Sequence, residues 1–175
     1  MQLVALCSLV VVNSPLIQAQ IFSYDPQNTK TPITLDEFRG LKWACDIRSC
    51  KDFTLVQKKW DKEDPDIKTY IRRETLKIAT VDVDSIEYSF YKGKFFCVIA
   101  RVGNLEVFPP LKEAITAMIG EGGIRMEVNT EDGSSWACKG KTPLGKEIQI
   151  ILGSKNKERE VVLNINYLGI ENEFK

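Results

Sequence analysis

The segment Ile86 to Val102, IEYSFYKGKFFCVIARV, constrains the fold more than any other part of the chain. Ile86, Tyr88 and Phe90 alternate with Glu87, Ser89 and Tyr91. Lys92-Gly93-Lys94 interrupts, and Phe95 to Val102 continues as a dense apolar run. Strict alternation places successive side chains on opposite faces of a strand, and a short Gly-containing break between two such runs predicts a β-hairpin. An isolated hairpin is at best marginally stable in water, so this one needs further strands or a helix to cover it.

The rest of the chain supplies them. Phe53 to Lys59 reads as a strand. Ile67 to Arg73 alternates, with Ile67, Thr69 and Ile71 on one face and Lys68, Tyr70 and Arg72 on the other, the pattern of a half-buried strand. Leu76 to Val83 reads as another short strand or a pair. Ser134–Lys139, Lys146–Leu152 and Glu160–Tyr167 close the chain as three more. In the last, Val161, Leu163, Ile165 and Tyr167 share one face, and Asn164 and Asn166 the other, as expected where a sheet face meets water.

One helix is expected after Asn104. Pro109 and Pro110 suit its first turn, Leu111, Ile115, Met118 and Ile119 form an apolar stripe, and Gly120, Gly122 and Gly123 end it. The glycines follow the helix, where its dipole repels an anion, so they do not make a phosphate cradle. These elements predict an α+β fold, a mainly antiparallel twisted sheet of about seven strands with one main helix packed on one face.

Leu3 to Val12, LVALCSLVVV, is too short for an ordinary membrane span and fits the core of a secretory signal. Small Ala19 suits the residue before cleavage. The expected organisation is a signal at 1–19, a polar, Pro-containing leader at 20–32 and one domain at 33–175. No Lys or Arg precedes Lys30, which departs from the usual signal pattern. The competing readings are a buried N-terminal element and, if the run is retained, a membrane tether. Lipid attachment at Cys7 is disfavoured by Leu6, where a small residue belongs. The location expected is periplasmic or secreted.

Export decides how the cysteines are read. With Cys7 lost, Cys45, Cys50, Cys97 and Cys138 remain, and an even number in an oxidising compartment suggests disulfides. Four cysteines allow three pairings; the favoured one joins Cys45 to Cys50 across a short polar turn and Cys97 to Cys138 between two strands. Zinc would compete for four cysteines, but C-x4-C with two isolated partners is a poor ligand spacing. A redox motif of the C-x-x-C type is absent. The echo of Trp43-Ala44-Cys45 in Trp136-Ala137-Cys138 has no matching flanks and reads as coincidence.

Lys plus Arg and Asp plus Glu balance at 24 each, so no global field draws the chain to nucleic acid. There is no histidine, which removes Ser–His–Asp and Cys–His mechanisms and His-based metal sites. The acidic turn Asp61 to Asp66 lacks the Gly and terminal Glu of a calcium loop and reads as a solvated hairpin turn. No cofactor and no enzymatic activity are expected. The alternative is a small hydrolase using two carboxylates, with Asp36, Glu37, Asp46, Asp82, Asp84 and Glu87 as candidates. If their strands pair, Lys58, Lys59, Arg72 and Arg73 form a basic patch lined by Trp60, Tyr70 and Tyr91, a ligand surface; the same residues also read as the wet face of a sheet. The leading expectation is a binding or interaction protein of the cell envelope, its partner an envelope protein or a small ligand.

Phe38-Arg39-Gly40-Leu41-Lys42-Trp43, Leu76-Lys77-Ile78, the hairpin at Ile86 to Val102 and Leu111-Lys112-Glu113-Ala114-Ile115 carry a resemblance. Together they resemble small exported bacterial proteins of uncharacterised function, with a pattern F-x-G-[IL]-K-W, LKI, IxYxFYxxKFxxV and a helix of the LKxAL sort. The resemblance covers about Phe38 to Gly120. It implies export and an architecture, and no reaction. Such proteins tend to carry Gly after the Trp, where this chain has Ala44.

Overall fold

In the computed structural model the described residues are 34–56, 58 and 63–175. The hairpin at the centre of the sequence is also central in the sheet. Its strands are β7 (Ser85–Tyr91) and β8 (Lys94–Val102), with an irregularity at Ser89/Phe90. Before them come the two-residue ribbon β1 (Glu37–Phe38) and β2 (Leu41–Lys42), then β3 (Phe53–Val56), β4 (Ile67–Arg72) and a second ribbon, β5 (Lys77–Ile78) and β6 (Val81–Asp82). After them come α1 (Phe108–Ile119), β9 (Ile124–Thr130), β10 (Gly133–Lys141), β11 (Glu147–Lys155) and β12 (Glu160–Tyr167). Eight strands form one sheet in the order β3-β4-β7-β8-β12-β11-β10-β9, every pair antiparallel. The class is α+β, as expected. The sheet has one strand more than anticipated, and its membership differs. Leu76 to Val83 folds as a separate ribbon, whereas the unanticipated β9 forms the far edge.

Register defines the two faces. Tyr70, Tyr88, Val98, Ile165, Ile150 and Cys138 stand in line across β4, β7, β8, β12, β11 and β10. This apolar face is covered. Trp43, just past β2, stacks on Phe95 with ring centroids 4.8 Å apart, and Phe38 of β1 lies against Tyr88. The helix buries Phe108, Leu111, Ile115 and Ile119. Lys112 on its surface pairs with Glu127 of β9, whose register partner is the buried Trp136. Pro109 and Pro110 occupy the first turn and Gly120 ends the helix at φ 71°, so both sequence signals act where expected.

The opposite face is polar and yet buried. Thr69, Ser89, Cys97, Asn166 and Gln149 line up across β4, β7, β8, β12 and β11. Asn164 is wholly buried and Asn166 is 4% exposed, which corrects the expectation that they meet water. Asn164 sits between Ile99 and Ile151 of the neighbouring strands and accepts a hydrogen bond from the Cys97 thiol. Glu87 Oε2, Ser135 Oγ, Gln149 Oε1 and Asn166 Oδ1 are buried on this face without a hydrogen-bond partner among the described residues. Alternation along one strand reports polarity, and polarity alone does not tell which face is wet.

The charged turn before β4 is a closed polar turn. Asp64 accepts hydrogen bonds from the backbone of Asp66 and Ile67, the local bonding that makes Asp a turn residue. Its first two residues, 61–62, lie outside the described residues, as do the expected signal and leader. Among the described residues no helix is long and apolar enough to cross a membrane.

Two substitutions test this packing. Leu111→Ala, at a fully buried helix position, is expected to cost about 2–5 kcal/mol in urea unfolding. Gly133→Ala places a Cβ 1.9 Å from the carbonyl oxygen of Ser154, so the β10–β11 pairing must open locally. Its cost is expected to exceed that of Gly145→Ala, which meets open space.

Candidate functional site

The site is built around one carboxylate. β4 ends at Arg72, whose guanidinium lies over the rings of Phe53 and Tyr88 at 5.7 and 5.4 Å from their centroids. Glu74 follows two residues on, its side chain only 8% exposed. It accepts hydrogen bonds from Arg72 and from the hydroxyl of Tyr88, and pairs with Arg39 Nε at 3.0 Å. Arg39 also donates to the carbonyls of Lys77 and Thr75. Two guanidiniums and a phenol satisfy the buried carboxylate, the condition under which such burial is tolerated. Burial, followed by the bond to Glu74, pushes the Tyr88 phenol well above its ordinary range.

Beside this cluster opens a cleft of about 710 Å³. One wall is the β1–β2 ribbon, one is the loop from Cys45 to Phe53, and one is the end of β4. Five cations line it, Arg39, Lys42, Lys51, Arg72 and Arg73, against the two carboxylates of Asp52 and Glu74. Arg39 and Arg72 are engaged by Glu74, whereas the exposed Lys42, Lys51 and Arg73 carry no ion pair among the described residues. The volume is within the usual range for small-ligand pockets.

The loop wall is a short 3-10 turn, Ile47–Ser49, capped by Asp46. Asp46 accepts from the backbone and the side chain of Arg48, each at 2.9 Å, and pairs with Lys94. The Arg48 bonds hold its carboxyl well below the usual aspartate range. Cys45 and Cys50 flank the turn and both line the cleft. The disulfide expected between them is not formed: their sulfurs are 3.8 Å apart as free thiols, and the Cys50 thiol also reaches the Asp46 carbonyl at 3.4 Å. Burial, then the neighbouring Cys50, pushes the Cys45 thiol up to about 12, so it stays protonated at neutral pH.

The expected Cys97–Cys138 disulfide does not form. Cys97 is on β8 and Cys138 on β10, with β12 and β11 between them. They also face opposite sides, Cys97 bonding Asn164 on the polar face and Cys138 lying 3.8 Å from the Gly122 carbonyl beyond the helix. No cluster of metal-ligating side chains occurs among the described residues.

The expected ligand patch is dispersed. Arg72 is in the cleft. Tyr70 shares its face but meets Phe53 and Phe90 edge-on, as part of the aromatic core. Lys58 reaches Glu87 at 2.5 Å on the polar face. Tyr91 packs against Phe174. Lys59 and Trp60 lie outside the described residues. The partners of Lys58 and Arg72 explain the split: Glu87 and Tyr88 are consecutive on β7 and point to opposite sides. The facing assigned to β4 also shifts. Tyr70 and Arg72 lie toward the aromatic cluster, while Ile71 is 42% exposed.

The candidate catalytic carboxylates are spread through the fold and none lines the cleft. Asp36 accepts from the backbone of Leu144, Asp82 pairs with Lys77, and Asp84 accepts from the backbone of Gly103. Glu37 is exposed on β1. Arg73, expected in the patch, lines the cleft with Arg72, whereas Arg39, Lys42, Lys51 and Glu74 lie outside the residues the sequence points to. The available signal was the density of basic residues around Cys45 and Cys50 and the Arg72-Arg73 pair. No family model matches the chain, and no match is found among curated proteins or solved structures.

Glu74→Gln would leave two partly buried guanidiniums without their counter-ion and is expected to cost about 3 kcal/mol on denaturant unfolding. For Asp46 the folded carboxyl titrates below its unfolded value, so its contribution is complete above the ordinary aspartate range and is lost as pH falls through the depressed value. An NMR titration is expected to show the Asp46 carboxyl ionised at pH values where exposed aspartates have begun to protonate.

Proposed function

We propose that this chain is an exported binding protein whose basic cleft captures a small anion. The observation that carries the reading is charge placement. Five cations face two carboxylates in one concavity of a chain whose net charge is zero, and among the described residues Lys42, Lys51 and Arg73 carry no ion pair. Arginine and lysine at the rim of a partly desolvated cleft attract carboxylate or phosphate groups, and the arginine fork favours planar, bidentate anions. Arg72, held by Glu74 and stacked on Tyr88, gives the cleft a fixed wall, which reduces the ordering cost of binding. Leu41 and Phe53 add a small apolar floor, so a carboxylate-bearing organic ligand fits better than a bare ion. Export is supported by the apolar run at Leu3 to Val12 and the small residue at Ala19.

Citrate is a suitable probe, because it brings several carboxylates on a compact frame. By titration calorimetry at low salt its Kd is expected to lie below about 1 mM and to weaken as salt is added. The combined variant Lys42→Gln, Lys51→Gln, Arg73→Gln is expected to bind about tenfold more weakly or worse, since each removed cation weakens a partly screened attraction. Failure of citrate, inorganic phosphate and sulfate alike to bind would overturn the cleft reading. For export, intact mass of the native protein is expected to begin near Gln20; a mass beginning at Met1 would overturn processing.

A further inference from the structure

We propose that Cys45 and Cys50 are a reversible dithiol–disulfide switch that sets the affinity of the basic cleft for its anion, an inference that rests on the cleft reading above. The two sulfurs already touch at 3.8 Å and both face the cleft. A disulfide requires about 2.05 Å between them, so closure needs a shift of the loop and not a refolding.

The two cysteines are held unequally. Cys45 is fixed: its carbonyl accepts from Phe95 N at 2.9 Å, and Ala44 N donates to the Phe95 carbonyl at 2.8 Å, which ties this end to β8. Among the described residues the hydrogen bonds of Cys50 itself are local, Cys50 N to the Ile47 carbonyl and its thiol to the Asp46 carbonyl, and the turn is anchored one step earlier, by Ile47 N to the Gly93 carbonyl at 2.8 Å. The segment is bounded by two non-glycine residues in the left-handed region, Ala44 at φ 67° and Asp52 at φ 64°, where small backbone rotations relieve unfavourable contacts. Closing the bond therefore draws Cys50, and Lys51 with it, toward the fixed wall that carries Lys42. Cations crowded on that wall hold an anion more strongly, and the covalent loop removes the ordering cost of Lys51 on binding.

The chemistry balances with a disulfide-bearing oxidant. The Cys50 thiolate attacks one sulfur of an oxidised thiol such as glutathione disulfide, forming a mixed disulfide and releasing one thiol. The Cys45 thiolate then displaces the second thiol from Cys50. Two protein thiols are oxidised, one external disulfide is reduced, and the two protons leave on the released thiols. Because burial keeps the Cys45 thiol protonated at neutral pH, the second step is expected to accelerate as pH rises. Cys97 and Cys138 are buried and lie on different strands and faces, so they take no part.

The test uses the full chain equilibrated in glutathione buffers of varied ratio, quenched with acid, alkylated and mapped by mass spectrometry, with citrate affinity measured on each redox form. The expected result is a disulfide at 45–50 with Cys97 and Cys138 as thiols, and citrate bound about tenfold more tightly by the oxidised form, within the usual range of coupling. Reciprocity then requires saturating citrate to shift the redox midpoint by about 30 mV for that tenfold coupling. A Cys45→Ser, Cys50→Ser variant is expected to show no difference between reducing and oxidising buffer. The inference is overturned if no 45–50 disulfide forms under excess glutathione disulfide, or if the oxidised form binds citrate equally or more weakly while the reduced form still binds. Absence of binding by either form is a different failure, which removes the cleft reading and this inference with it.

Discussion

The carboxylate of Glu74 holds together segments that the backbone leaves separate. Through Arg39 it fastens the β1–β2 ribbon, through Arg72 the end of β4, and through the Tyr88 hydroxyl the centre of β7. Arg39 extends the tie to the carbonyls of Lys77 and Thr75, next to the β5–β6 ribbon. A two-residue ribbon has too few backbone hydrogen bonds to stay in place on its own. Its position over the sheet rests on Phe38 and Trp43, which bury themselves on Tyr88 and Phe95, and on this ionic knot at the rim. The cleft is the space left between the parts so tied.

The knot also accounts for the division of labour among the cations. Arg39 and Arg72 share one carboxylate and act as structure, which leaves Lys42, Lys51 and Arg73 to present charge to solvent. A neutral chain can hold a locally positive concavity because the compensating acids lie elsewhere, several of them in ion pairs such as Lys58–Glu87, Lys77–Asp82 and Lys146–Glu173. Overall composition reports the sum of these charges and says nothing of their positions.

Local periodicity made the central hairpin, the helix and the last three strands legible in the sequence. Each carries a local run or repeat of apolar residues within a single element, and Pro109, Pro110 and Gly120 mark the helix ends by their own backbone chemistry. β9 was missed because Ile124, Met126 and Val128 are interleaved with charged and polar residues and follow a glycine cluster, which reads as a loop. The Cys97–Cys138 pairing failed for a different reason. It depends on strand order, and the insertion of β12 and β11 between β8 and β10 is a long-range outcome that no local pattern encodes. The cleft was only partly legible. Arg72 and Arg73 are legible from the strand that they end, whereas Arg39, Lys42 and Lys51 sit in ribbons and loops, where spacing carries no facing information. Asn164 and Asn166 look wet in a strand pattern, while the sheet places Asn164 between Ile99 and Ile151 and Asn166 between Cys97 and Gln149.

Among the described residues the sheet is open, ending at β3 and β9, and strand edges of this kind can recruit further strands. With no net charge the molecule has little colloidal repulsion to keep copies apart. Protection therefore falls to the rim itself. On β9 the outermost residues alternate Arg125, Glu127 and Asn129 with the aliphatic ones, and Lys112 of the helix leans out to meet Glu127. Stacking a second copy there would have to strip water from these charges, a barrier to fibril growth that a smooth aliphatic border would lack.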